Sequence, residues 1–104
     1  MALKRQEDTA VKIRQKVQIE TPKNHLVIYL NDDVTSIEFV IDSLMTIFNH
    51  NWDDAAELTR KVHEEGSAVV AVLPFEIAEH KAIQVTLKAR NQNYPLLVKV
   101  EPDS

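Results

Sequence analysis

The stretch LNDDVTSIEFV, residues 30–40, sets two adjacent carboxylates, Asp32 and Asp33, behind the amide of Asn31. An apolar run precedes them and a helix-start signature follows, so the cluster sits where a chain turns. A phosphoacceptor site with bound Mg²⁺ would need a third aspartate and a lysine at later strand ends, and the later run AVVAVLP supplies neither. A divalent metal held by Asp32, Asp33 and His63 is chemically reasonable, because carboxylate and imidazole suit several transition metals. No fixed spacing such as H-E-x-x-H supports it, and His25, His50 and His80 fall at unrelated intervals. Nucleophilic hydrolysis has no candidate: there is no cysteine, no G-x-S-x-G and only one glycine. The plainest reading is structural, with Asn31 and Asp32 shaping a turn, Asp33 facing a positive helix end and His63 compensating a helix C-terminus.

One further reading uses more of these residues. Thr59 and His63 are four apart, so on a helix they share a face, with Val62 beside them on an apolar stripe. An acceptor cluster would then border an apolar pocket. A free α-amino group is an ammonium with three donors and no acceptor, mostly charged at neutral pH given a pKa of roughly 7.7 to 8.0. The Asn31 amide oxygen, the Asp32 carboxylate and a neutral His63 ring nitrogen offer it three acceptors, while the neighbouring apolar hollow takes the first side chain of a peptide.

These residues need elements to hold them. HLVIYL, residues 25–30, is a β-branched and apolar run that reads as a first strand. Thr35 followed by Glu38 is a capping box, with Val34 and Phe39 placed as a hydrophobic staple, so a helix starts at Ser36. Its apolar residues recur at three and four from Ile37 to Phe48, and it ends near Asn49. Asn51 with Asp54 repeats the capping signature, and the second helix stops at Gly66. SAVVAVLP, residues 67–74, is almost continuously apolar, which predicts a central strand covered on both faces. A third helix over residues 74–90 carries the small stripe Ala78, Ala82, Val85 and Ala89. LLVKVE, residues 96–101, alternates as a half-exposed strand whose lysine discourages edge pairing. The order is βααβαβ, an α+β fold with one core.

At this length, with 44% hydrophobic residues, the chain can bury one modest core and is expected to form a single domain over 24–104. The absence of a long apolar run or a secretory leader predicts a soluble, cytoplasmic protein without a membrane partner. No cysteine means no disulfide framework and no thiolate site. The net charge of −4 hides an asymmetry: residues 1–23 carry six Lys/Arg against three Asp/Glu, and residues 24–104 carry six against thirteen, about +3 and −7. An acidic domain is a poor partner for nucleic acid, and its ligand is expected to be cationic. The basic segment reads as a mobile arm. Val11, Ile13, Val17 and Ile19 fall on one parity as in a strand, yet no hairpin turn accompanies them.

The segments NDDVTSIEFVIDSL, VHEEG, EIAEHKA and PLLVKVE stand in an order and spacing that resembles ClpS, the bacterial N-end rule adaptor family, over residues 24–101. The resemblance implies a three-stranded antiparallel sheet packed against three helices, no catalysis and no cofactor. It implies that Asn31, Asp32 and His63 bind an α-amino group, and that Ile37, Val40, Thr59, Val62 and Leu96 line a side-chain pocket. It further implies docking by Glu76 and Lys81 to the N-terminal domain of a Clp AAA+ unfoldase of ClpA or ClpC type, and a flexible N-terminal extension over 1–23 that the unfoldase engages. Its ligands would be substrates beginning with Phe, Tyr, Trp or Leu, and a monomer is the simplest expectation. Ile37 and Thr59 stand where the family commonly has methionine. Both are stiff at χ1, so the ranking of first residues should change, with more room beside Thr59 for bulky rings. A docking module that ignores N-termini, or a small metal-binding enzyme, are the alternatives.

Overall fold

Six elements follow one another in the expected order: β1 (Asn24–Leu30), α1 (Ile37–Thr46), α2 (Trp52–Glu65), β2 (Ser67–Pro74), α3 (Phe75–Asn91) and β3 (Leu97–Pro102). The computed structural model describes residues 23–103; the expected N-terminal extension, apart from Lys23, lies outside the described residues. Both β2 and β3 pair antiparallel with β1, giving the sheet order β2-β1-β3. All three helices contribute to the core against one face of this sheet, where Val27, Tyr29, Val70 and Leu96 meet Phe39, Val40, Leu44, Val62, Val85 and Ala89. Among the described residues, no helix is long and apolar enough to cross a membrane.

The central strand is β1, not β2 as the continuous apolar run suggested. A bulge explains why composition misled. Val27 pairs with Ala71 and Ile28 with Val69, so Val70 is an extra residue in β2. The bulge sets Val70 and Ala71 towards the core in succession, while Val69 and Val72 point outward and are 43% and 46% exposed. Apolar residues therefore adjoin along the sequence without both faces being covered. The carbonyl of Val70 receives His50 Nε2 at 2.7 Å. Because a carbonyl can only accept, that nitrogen carries the hydrogen, tying the connection between α1 and α2 to the bulge.

The capping residue of α1 also differs from expectation. Ser36, not Thr35, is the N-cap, its Oγ accepting from Phe39 N–H at 3.1 Å. Thr35 is drawn away by Asp32, to which it donates through both its N–H and its hydroxyl. The staple fails with the shift, since Val34 is exposed. The helix ends at Thr46, three residues earlier than expected, and Asn49 turns the chain with a φ of 60°. At the buried centre, Ser43 gives its one proton to the Val40 carbonyl, so Tyr29 is the donor in the 2.8 Å bond between their hydroxyls. Burial raises the Tyr29 phenol pKa, and the Ser43 bond offsets part of that rise.

The second helix keeps both expected ends. Asn51 accepts from Asp54 N–H at 2.8 Å, and Gly66 closes the helix with a φ of 89°. A Cβ at Gly66 would meet nothing within 4 Å, so only the backbone conformation demands glycine there. Gly66→Ala is expected to cost roughly 1–2 kcal/mol, the penalty for holding an ordinary residue in left-handed geometry. Urea unfolding measures it, and an unchanged midpoint would show that the turn relaxes freely.

Candidate functional site

The segment leaving β1 and the last turn of α2 are joined by one backbone bond, from Asn31 N–H to the Gly66 carbonyl at 2.9 Å. That bond brings the Asn-Asp-Asp turn beside His63, although 32 positions separate Asn31 from His63. Between them lies a cavity of about 230 Å³ lined by Asn31, Asp32, Asp33, Thr35, Ile37, Val40, Thr59, Val62 and His63. This is smaller than the roughly 300–1,000 Å³ of drug-sized ligand pockets. One amino-acid side chain suits it better than a large cofactor.

The walls divide by element. Val40, Thr59 and Val62 are buried and supply the apolar floor, while Ile37, 55% exposed in the first turn of α1, stands at the rim. The Thr59 hydroxyl donates to the Ala55 carbonyl of its own helix at 2.7 Å. This position therefore adds no unpartnered donor to the floor. Asn31, Asp33 and His63 are exposed, Asp32 partly so.

Asp32 is fixed by its own turn. Its Oδ1 accepts from Val34 N–H at 2.8 Å and Thr35 N–H at 2.7 Å, and its Oδ2 accepts from the Thr35 hydroxyl at 2.8 Å. Partial burial alone would raise the Asp32 pKa. The bonds from Thr35 and Val34, together with the positive charge of Arg90 from α3, outweigh it and hold the carboxyl below the usual range. An ionised carboxylate has about four acceptor positions, so roughly one on Oδ2 remains for an outside donor.

Three sequence-assigned residues lie elsewhere. Leu96 is 1% exposed and belongs to the core; it is absent from the cavity wall. Glu76 is exposed in the first turn of α3. Lys81 is partly buried and donates to the Ile47 carbonyl at 2.5 Å, with its ammonium 5.8 Å from the Phe48 ring centre. Thr35 lines the cavity, a position the capping assignment had hidden. Its signal was Asp32 three residues before a threonine, a spacing that suits a side-chain turn as well as a cap. Among the described residues, Asp32, Asp33 and His63 do not form a group able to hold a metal.

The sequence pattern of the ATP-dependent Clp protease adaptor protein ClpS matches residues 20–99. The chain belongs to the ClpS family. A ClpS adapter protein from Treponema denticola is 44% identical over 97% of this chain and 98% of its own length, and one from Wolinella succinogenes is 38% identical over 90% and 92%. Agrobacterium tumefaciens ClpS2, solved bound to L-phenylalaninamide, superposes with a TM-score of 0.77 at 37% identity, covering 80% of this chain and all of that one. ClpS is an adaptor family, not an enzyme family, and its three-helix, three-strand antiparallel architecture is the one found here.

Asp32 anchors the turn in this ClpS chain only while ionised. A carboxyl with a depressed folded pKa stabilises the fold above its unfolded value, about 3.9, and that contribution disappears as pH falls through the folded value. Asp32→Ala should thus cost about 1–2 kcal/mol at neutral pH by urea unfolding, with the gap to the parent chain narrowing in acid. A gap of constant size into strongly acidic solution would assign the loss to packing instead of charge.

Proposed function

We propose that this chain is an N-degron adaptor: the cavity binds the free α-amino group and bulky hydrophobic first side chain of a protein and the adaptor passes it to a Clp AAA+ unfoldase. The observation that carries this reading is the meeting of Asn31, Asp32 and His63 with Ile37, Val40, Thr59 and Val62 around one hollow. An ammonium has three hydrogens, and the Asn31 oxygen, the remaining Oδ2 position of Asp32 and a neutral His63 nitrogen are three acceptors. Phenylalaninamide, the ligand of the ClpS2 relative, is a free ammonium beside a benzyl group. That pairing of chemistries supports the assignment.

Magnitudes agree with useful binding. Charge-assisted bonds contribute roughly 1.5–3 kcal/mol each when partly desolvated, and burying a large side chain roughly another 1.5–3. Docking to the unfoldase is assigned to Glu76 and Lys81 on α3, and its grip to the extension over 1–23. Lys81 spends one of its three donors on Ile47, leaving two for a partner carboxylate. Substrates are expected to begin with Phe, Tyr, Trp or Leu, with the aromatic residues gaining from the smaller Thr59.

The decisive experiment is a calorimetric titration with a Phe-first peptide, free and N-acetylated. Acetylation removes the charge and donors, so binding should vanish; equal affinity for both forms would defeat the reading. His63→Ala should weaken the free peptide but leave unfoldase docking intact. A module that only docks would show the same peptide response with and without the histidine.

A pH profile tests the histidine directly. Protonation converts its ring from acceptor to donor, so affinity should fall as the solution is made acidic and fall again at high pH, where the peptide amine loses its charge. An acid-side fall of equal size in His63→Ala would remove His63 from the acceptor set. Peptides varied only at residue one test the pocket, and a Leu-first ranking would count against the role given to Thr59.

A further inference from the structure

β3 is an outer strand of the sheet, and among the described residues no strand pairs with its side away from β1. The two edges of the sheet are not alike. β2 carries the bulge at Val70, a break in the ladder that blunts an edge, whereas β3 pairs with β1 from Leu97 to Pro102 without a register shift. A regular open edge can accept a further strand. Beside it, between β3 and α3, runs a groove of about 270 Å³ walled by Ala82, Ile83, Thr86, Leu87, Val98 and Val100.

Ile83 and Leu87 are 52% and 66% exposed and lie one helical turn apart, so they form a patch instead of scattered exposure. Val98 and Val100 pair with the core residues Tyr29 and Val27 and share their face of the sheet. Lys99 and Glu101 alternate with them on the other face and are exposed. A strand added beyond β3 would bring its own inward residues beneath Ile83 and Leu87. Its occupant must therefore offer apolar residues on one parity and charges that suit Lys99 and Glu101 on the other.

We propose that the occupant is a second copy of this chain, its β3 pairing antiparallel with this β3 about a two-fold axis at Val100. Such a pair joins the two sheets into one of six strands. Symmetry fixes which residues meet: those equally far from the axis on the two strands stand opposite each other on the same face. An axis at Lys99 or at Glu101 would set like charges against each other, and an axis at Val98 would set Lys99 against Leu97. Of these four registers, the one at Val100 alone opposes Lys99 to Glu101 of the second copy, and it does so twice.

The same register completes the apolar face. Val100 meets Val100 of the second copy, and each copy's Ile83 and Leu87 are covered by the other's Val98 and Val100. Pro102 falls at the end of the ladder, opposite Val98, where an edge strand tolerates proline. An edge lysine ordinarily discourages pairing; here it excludes the like-charged registers and admits the one that supplies a carboxylate. Repulsion between cores of about −7 each, together with the short ladder, makes the dimer weak and dependent on concentration. None of the residues lining the peptide cavity lies on α3 or β3, so both copies keep it open.

Sedimentation velocity of the full chain should give a coefficient that rises with concentration towards that of a dimer. Lys99→Glu should hold the chain at the monomer value, and adding Glu101→Lys should restore association. Ile83→Gln with Leu87→Gln should abolish it; all four side chains are exposed, so these changes leave the core untouched. The chain contains no cysteine, so Val100→Cys tests the register. Opposed Cα atoms about 4.5–5.5 Å apart fall within disulfide reach, and mild oxidation should yield a covalent dimer that Val98→Cys does not. A monomer at every concentration up to millimolar, association unaffected by Lys99→Glu or by the paired glutamines, or a double charge reversal that fails to restore it would overturn the proposal. Crosslinking no greater through Val100→Cys than through Val98→Cys would also overturn it.

Discussion

The 2.9 Å bond from Asn31 N–H to the Gly66 carbonyl is the joint on which the candidate site depends. It fastens the exit of the central strand to the end of α2. Gly66 makes the joint possible because its left-handed φ of 89° ends the helix while turning its carbonyl to the strand exit. The acceptor turn and His63 then face one hollow without either being held there by a bond to the other. A ligand with several donors can bridge them at little cost in rearrangement, since both sides are fixed by backbone geometry before it arrives.

The same economy applies inside the turn. Three hydrogen bonds lock the Asp32 carboxylate and keep it ionised, yet leave a position unfilled. A carboxylate that was wholly free would be hydrated and mobile; one that was wholly saturated would have nothing to offer. The floor shows a parallel arrangement, because Thr59 spends its hydroxyl on Ala55 and Val40 and Val62 have none to spend. Polar recognition is confined to the rim, where a substrate's nitrogen would sit, and the hollow below selects by shape and apolar area.

Local signals in the sequence proved strong where the physics is local. Asn51 capping α2, Gly66 ending it and the small stripe of α3 each depend on residues within a few positions of one another, and each is present. The differences arose where two local motifs claim one residue or where distant strands must pair. Thr35 was available both as a cap and as a partner of Asp32, and only the path of the chain at the turn decides between Ser36 and Thr35. The SAVVAVLP run could not reveal a bulge opposite Val27, and strand order depends on pairing that periodicity does not encode. The cavity was legible because a tight turn and an i, i+4 pair are both local patterns. Leu96, assigned to the pocket through family resemblance, packs in the core just before β3 and is absent from the cavity wall.

The cavity and the shallow groove between α3 and β3, walled by Ile83, Leu87, Val98 and Val100, occupy different parts of the molecule. Asn24 opens β1 and Asn31 follows its last residue, about 23 Å away at the rise of an extended strand. Arg90 is the structural link between the two regions: it lies in the last turn of α3, donates to the Tyr94 and Leu96 carbonyls that lead into β3, and contributes positive charge at Asp32. A displacement at the start of β3 therefore has a direct route to the acceptor turn, through the Arg90 side chain.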